Sequence, residues 1–413
     1  MCTATMRIFS SIIGHSLGSP TRWTRPLNGM EGYFNFIGLY ALLSKVRVEL
    51  DMPDLRYQQP QISAKEENME LVYEVAETFL VSSTSNADEL CQSVQLIKQA
   101  TLYYIAASSK LVLRIHHTLI DGTGVKLFWH SYFNMLDAPL SNITFGGEHV
   151  RVPPVLEEVL GNSEQPTPEQ ADRAAALLGP VSKLGTAPSG CSRNREFIFS
   201  AQKTAAVIKA CKDRSISVRS ALHAAYIQTV TKYADPTANV SRYVNVTSLS
   251  PRPYLPEPYN TSDYVVSVYY ATVPFILDTP ATFSEAATAL HEHYQTGFKS
   301  NTANRKICGY MACMLREMVQ APEFQAKPIS SDALVSSLDI MEEHLERAYG
   351  TTVTVKDFIF GAETVLGISM LFIYMFHDQL RLEYSFNDGF EEESDIRMYL
   401  EEIDRMSTGE QLG

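Results

Sequence analysis

At 413 residues the chain is too long for one ordinary hydrophobic core, and two domains are expected. Hydrophobic residues make up 45% and charged residues 20%, a globular and not a disordered balance. The net charge of −13, with no clustered run of Lys and Arg, argues against a nucleic-acid partner.

Six cysteines at 2, 91, 191, 211, 308 and 313 form no C-x-x-C pair, so neither a metal site nor a disulfide framework is expected. The first twenty residues lack the charged start and long apolar core of a secretory signal, and no run is long enough to span a membrane. A cytoplasmic protein without a membrane partner is the expectation.

In chain order, RIFSSII (7–13) reads as a strand. EGYFNFIGLYALL (31–43) either opens a helix or enters the core, and SKVRVELD (44–51) alternates like a strand. Residues 64–80 and 86–100 read as helices. TLYYI and KLVLRI are β-rich runs, and VKLFWHSYFNML (125–136) follows at helical spacing. Pro, Gly, Ser and Gln cluster between 137 and 195 and mark a crossover linker.

The second half opens on a strand at 195–200, then helices at 202–213 and 217–234. Strands follow at 242–250 and 264–277, then helices at 283–299 and 303–319. ALVSSLDI, VTVKDFIFG, TVLGISMLFIYMF and QLRLEYSFN are late strands, and EESDIRMYLEEIDRM is a closing helix. The pattern predicts an N-terminal domain over 1–150, a linker over 151–194 and a C-terminal domain over 195–413. Each domain mixes a sheet with flanking helices.

The stretch that carries chemistry is HHTLIDG, residues 116–122, between a strand and a helix. A rigid strand aims side chains there and the loop exposes them. An imidazole is the natural general base near neutral pH. Asp121 is suited to fixing the loop, by hydrogen bonds or an arginine, and Gly122 to a close approach by a neighbour. A metal site finds no third ligand at convincing spacing.

The pattern resembles the HHxxxDG signature of the CoA-dependent acyltransferase superfamily, which includes chloramphenicol acetyltransferase, plant BAHD acyltransferases and nonribosomal peptide condensation domains. WTRPLNGMEGYFN (23–35), ISVRSALHAAYIQTV (216–230), NVTSLSPRPYL (245–255), SSLDI (336–340) and the last strand and helix are similar to free-standing fungal enzymes of the trichothecene O-acetyltransferase type.

The resemblance implies two chloramphenicol acetyltransferase-like α/β domains with a tunnel between them. It implies His117 as general base, with His116 orienting the loop and Asp121 structural against an arginine, Arg252. Ser336 or Ser337 is a candidate oxyanion or substrate contact, with an ordinary strand serine as the alternative. No bound cofactor is implied. Acyl-CoA would be a co-substrate, with a carrier protein in trans as the other donor, and a hydrophobic small molecule would be the acceptor of a monomeric enzyme. Trp23, Tyr33, Phe34 and the aromatics of 264–275 are candidates to line the acceptor pocket, or equally to fill the core.

Departures leave other readings open. The plant-type DFGWG is absent, and SSLDI lacks the glycine usual in the related strand. The same tunnel and base would serve a non-acylating cyclase. GHSLG (14–18) fits a nucleophile elbow, with Ser16 as a hydrolase nucleophile, but the two prolines of SPTRWTRP oppose the helix that must follow. A non-catalytic binding protein is a further alternative. HEH (291–293) reads as solvated helix surface, and His223 and His377 as core histidines.

Overall fold

The computed structural model describes residues 22–37, 39–47, 61, 64–67, 70–74, 79–82, 97, 100–105, 108–138, 151–162, 166–177, 190–234, 241–279, 281–321, 333–351, 353–364 and 367–410. The first half runs β1 (Arg22–Pro26), α1 (Gly29–Ile37), β2 (Leu39–Arg47), β3 (Ala64–Glu67), β4 (Glu70–Glu74), β5 (Phe79–Ser82), β6 (Thr101–Ile105), β7 (Lys110–His116) and α2 (Gly122–Asp137). Two helices follow, α3 (Leu156–Val159) and α4 (Pro168–Leu177). The second half holds β8 (Ser192–Ile198), α5 (Ala201–Asp213), α6 (Val218–Tyr233), β9 (Arg242–Leu249), β10 (Ala271–Asp278), α7 (Phe283–Tyr294) and α8 (Thr302–Gln320). It closes with β11 (Leu334–Ile340), β12 (Ala348–Tyr349), β13 (Val353–Thr354), β14 (Asp357–Thr364), β15 (Met370–Phe376), β16 (Gln379–Asn387) and α9 (Glu393–Arg405).

Two mixed sheets organise the molecule. One has the order β14-β2-β7-β6-β5 and the other β11-β15-β16-β8, with the antiparallel pair β9-β10 beside the second. A cut at residue 195 does not separate these sheets. Strand β14 belongs to the later half of the sequence but pairs antiparallel with β2, Phe358 opposite Val46 and Gly361 opposite Leu43. A buried two-pronged ion pair reinforces the crossing. Arg114 Nε and Nη2 on β7 reach the Glu363 carboxylate on β14 at 2.6 and 2.9 Å. Such forks fix geometry as well as energy.

Strand β15 explains its own unbroken apolar run. Successive side chains on a strand face opposite ways. Met370, Phe372, Tyr374 and Phe376 enter one core, while Leu371 and Ile373 enter the other. The strand is therefore a wall shared by both cores, and neither face tolerates polar residues.

Helix α2 forms because Asp121 caps it, accepting from Gly124 N at 2.7 Å, and its interior holds neither Gly nor Pro beyond the first turn. Val125, Phe128, Trp129, Tyr132, Phe133 and Leu136 recur at helical spacing and are all buried. Burial of each large side chain contributes roughly 1.5–3 kcal/mol. This helix anchors the loop that precedes it.

The described residues between 64 and 80 are not helical. Residues 64–67 and 70–74 form the antiparallel pair β3-β4, with β4 also pairing β1, and β5 runs parallel to β6. Their apolar residues suited either period, and strand partners elsewhere in the chain decided between them. Residues 7–13 and nearly all of 86–100 lie outside the described residues. Among the described residues, no helix is long and apolar enough to cross a membrane.

Candidate active site

Strand β7 ends at His116, paired with Ala41 on β2, and the chain turns at once, Leu119 N donating to His116 O at 2.9 Å. The adjacent histidines are thereby given different surroundings. His116 Nδ1 accepts from Thr118 N–H at 3.3 Å and lies 2.8 Å from the Thr118 hydroxyl. That ring is part of the turn.

His117 Nδ1 lies 2.8 Å from the Ile120 carbonyl oxygen. A carbonyl only accepts, so Nδ1 carries the proton and Nε2 keeps its lone pair. Burial pushes the His117 imidazole down to about 4, against only a weak upward pull from the backbone acceptors. The ring is neutral at physiological pH and already in the form that accepts a proton.

His117 borders a narrow cavity. Tyr33, Phe34, Tyr270, Ser336, Phe360 and Phe372 are among its walls, most of them apolar. Phe34 lies flat on the imidazole, ring centroids 3.6 Å apart and planes 13° apart. A more polar and more open cavity, lined by Thr123, Ser248, Ser250 and Ser337, adjoins it along Gly122, Tyr270, Ser336 and Leu338. The two spaces lie where elements of both sheets meet.

Both carboxylate oxygens of Asp121 are engaged in holding the loop. Its Oδ1 caps α2, and its Oδ2 accepts from Tyr269 N at 2.8 Å and Arg252 Nη2 at 2.7 Å. Arg252 also donates to the carbonyls of Tyr264 and Ser267. Both side chains are buried, the carboxylate 2% exposed. The HHTLIDG loop is thus pinned to residues 252 and 264–269, from the other half of the chain.

Ser336 and Ser337 separate in space. Ser336, on β11, lines the cavity with His117, and its hydroxyl has no hydrogen-bond partner among the described residues. Ser337 bonds Asp339 Oδ1 at 3.1 Å and borders only the polar cavity. Gly122 stands between the cavities, where a Cβ would come 3.0 Å from Leu338 Cδ2. Ser16 and the Trp23 side chain lie outside the described residues. No metal-binding group of side chains occurs among the described residues.

Two contributors escaped the sequence reading. Lys126 Nζ on α2 donates to the Leu338 carbonyl at 2.7 Å, tying α2 to β11, and burial lowers its affinity for a proton. Gly124 completes HHTLIDGTG, and a Cβ there would meet Val265 O at 2.5 Å and Ile120 Cγ1 at 2.7 Å. The tight spacing of that motif was the available signal. Gly124→Ala should destabilise the protein by about 1–3 kcal/mol, since neither backbone nor helix has room to retreat. Urea unfolding measures this, and an unchanged midpoint would show that the loop yields freely.

The histidines outside the motif also needed the tertiary structure. Of HEH, Glu292 is exposed, but both histidines are half-buried and engaged. His291 Nδ1 accepts from Ser217 N at 3.1 Å, and His293 packs on Phe275 and lies 3.1 Å from the Thr247 hydroxyl. His223 is buried between the hydroxyls of Tyr294 and Tyr243. His377 stands in a turn at φ +51 and is half-buried, because the β15-β16 connection reverses there.

No family model matches the chain. It is 27% identical over 330 residues to the O-acetyltransferase pigM of Monascus ruber, covering 76% of this chain and 64% of that relative's length. It is 26% identical over 335 residues to the acetyltransferase pigO of the same organism, covering 76% of this chain and 72% of pigO. The TRI3 trichothecene 15-O-acetyltransferase of Fusarium sporotrichioides superposes at a TM-score of 0.76 with 14% identity, covering 95% of this chain and 97% of that one. The first condensation domain of the CDA synthetase superposes at 0.59 with 12% identity, covering 93% and 95%. The chain is thus similar in sequence to fungal acetyltransferases and shares its two-domain fold with TRI3 and with condensation domains.

Proposed function

We propose that the protein transfers an acyl group from a thioester, acyl-CoA as co-substrate, to the hydroxyl of a hydrophobic secondary metabolite, with His117 as the general base. The observation that carries this reading is a neutral imidazole, its Nδ1 held by the Ile120 carbonyl, in the wall of an apolar cavity that Ser336 also lines, its hydroxyl without a partner among the described residues. The names of pigM, pigO and TRI3 support acyl transfer as the reaction class.

In this reading the acceptor O–H gives its proton to His117 Nε2 while its oxygen attacks the thioester carbon. The carbonyl oxygen becomes an oxyanion, toward which Ser336 is the candidate donor. Collapse breaks the C–S bond, and the thiolate takes the proton back from His117. An ester and a free thiol leave. Holding both reactants at one seam supplies much of the acceleration. Asp121, Arg252, His116 and Gly122 shape the loop and take no proton.

The test incubates the full chain with acetyl-CoA and a panel of apolar alcohols, reading thiol release and product mass. Thiol release that depends on the alcohol, with a product heavier by one acetyl group, supports the reading. Transfer only from a phosphopantetheinyl carrier protein would move the donor assignment. A mass-neutral or water-loss product without thiol release would replace transfer by cyclisation.

A further inference from the structure

Helix α1 has nine residues, too few for stability on its own, yet its N-terminus is held by several independent contacts. Glu31 N donates to Asn28 Oδ1 at 2.7 Å, and Asn28 N donates back to Glu31 Oε2 at 2.9 Å. Arg25 grips the Glu31 carboxylate with both terminal nitrogens at 2.8 Å. Gly29 N donates to Glu157 Oε1 at 2.9 Å. Gly29 also lies so close to α8 that a Cβ would come within 2.7 Å of Cys313 N.

One turn on, this helix delivers Phe34 flat onto His117. Tyr270, from the other half, meets Phe34 edge-on at 5.2 Å and 65°, and His117 at 6.4 Å and 77°. The imidazole's hydrogen bond to Ile120 fixes the Nδ1 proton but leaves the ring free to tilt about that bond. The flat contact with Phe34 removes the tilt and covers one face.

We propose that Phe34 is a positioning residue that clamps the plane of the His117 ring and seals its rear face, so that an acceptor hydroxyl meets only the Nε2 edge. This rests on the reading of His117 as base. Among the described residues lining the cavity, Tyr33 and Tyr270 alone titrate besides His117, and burial pushes both phenols up, so no charge from these residues faces the ring.

The test compares Phe34→Ala and Phe34→Leu by nitrogen-15 NMR of the histidine rings, with the His117 signal assigned by its loss in His117→Gln. Phe34→Ala should raise the His117 midpoint by a unit or more from about 4 toward 6.5, as water reaches the face. Phe34→Leu keeps the apolar cover without the flat surface. It should keep most of the depression while kcat falls about tenfold with KM little changed, as expected for a misaimed base. Wild-type ring signals in both variants would overturn the clamp, as would unchanged kcat in Phe34→Leu. The NMR readout needs no substrate. Shifted signals without any transfer activity would sink the acyltransferase reading and leave the clamp standing.

Discussion

If His117 is the general base, His117→Ala should lower kcat/KM by about 10²–10⁴-fold, the range such a group contributes, while the protein stays folded. The fold should survive because the ring borders a cavity, and water can take its place at the Ile120 carbonyl. An acceptor hydroxyl would find no other neutral base among the described residues lining that cavity, whose remaining titratable groups are two phenols. Added imidazole should enter the vacated space and restore part of the rate. Steady-state kinetics with and without imidazole measure both effects, and a wild-type rate in the His117→Ala enzyme would remove the assignment.

Breaking the Asp121–Arg252 pair costs stability first and activity through it. Removing one partner of a buried ion pair typically costs 3–5 kcal/mol, because the other charge stays buried and uncompensated. Even Asp121→Asn should approach this loss. Oδ1 accepts from Gly124 N, and Oδ2 accepts from both Arg252 and Tyr269 N. Whichever way an asparagine amide turns, its NH2 group faces at least one donor. Arg252→Met keeps the length of the side chain but leaves the carboxylate with two backbone donors alone. The double variant should lose clearly less than the sum of the singles, as expected for groups in direct contact. Urea unfolding of the four proteins measures this coupling, and strictly additive losses would show that the bridge holds nothing.

The loop pinned by this pair also joins the two halves, since residues 264–269 donate to or accept from Asp121 and Arg252. Loss of the bridge should therefore widen the seam that holds His117 and Ser336, so activity falls further than the folded fraction alone would require.

What the sequence by itself determined is local. HHTLIDG was legible as a strand-to-helix junction because a period of two gives way to a period of 3.6 within a few residues, with an acidic cap between. The late strands were legible as β-rich runs and the closing helix by its period of 3.6. The tertiary structure decided whatever depends on groups far apart in the chain. Residues 64–67, 70–74 and 79–82 became strands because pairing partners arrived from other segments. Strand β14 crossed into the first sheet because β2 offered an edge and Arg114 a buried partner for Glu363. His116 and His117 have the same side chain, and only the contacts of each imidazole set them apart. One Nδ1 accepts within the turn, the other donates to Ile120, and Phe34 brings a flat face from 83 positions upstream. A periodic pattern reports which face of an element is apolar. It carries no register between distant segments, and register is what aims a base at a cavity.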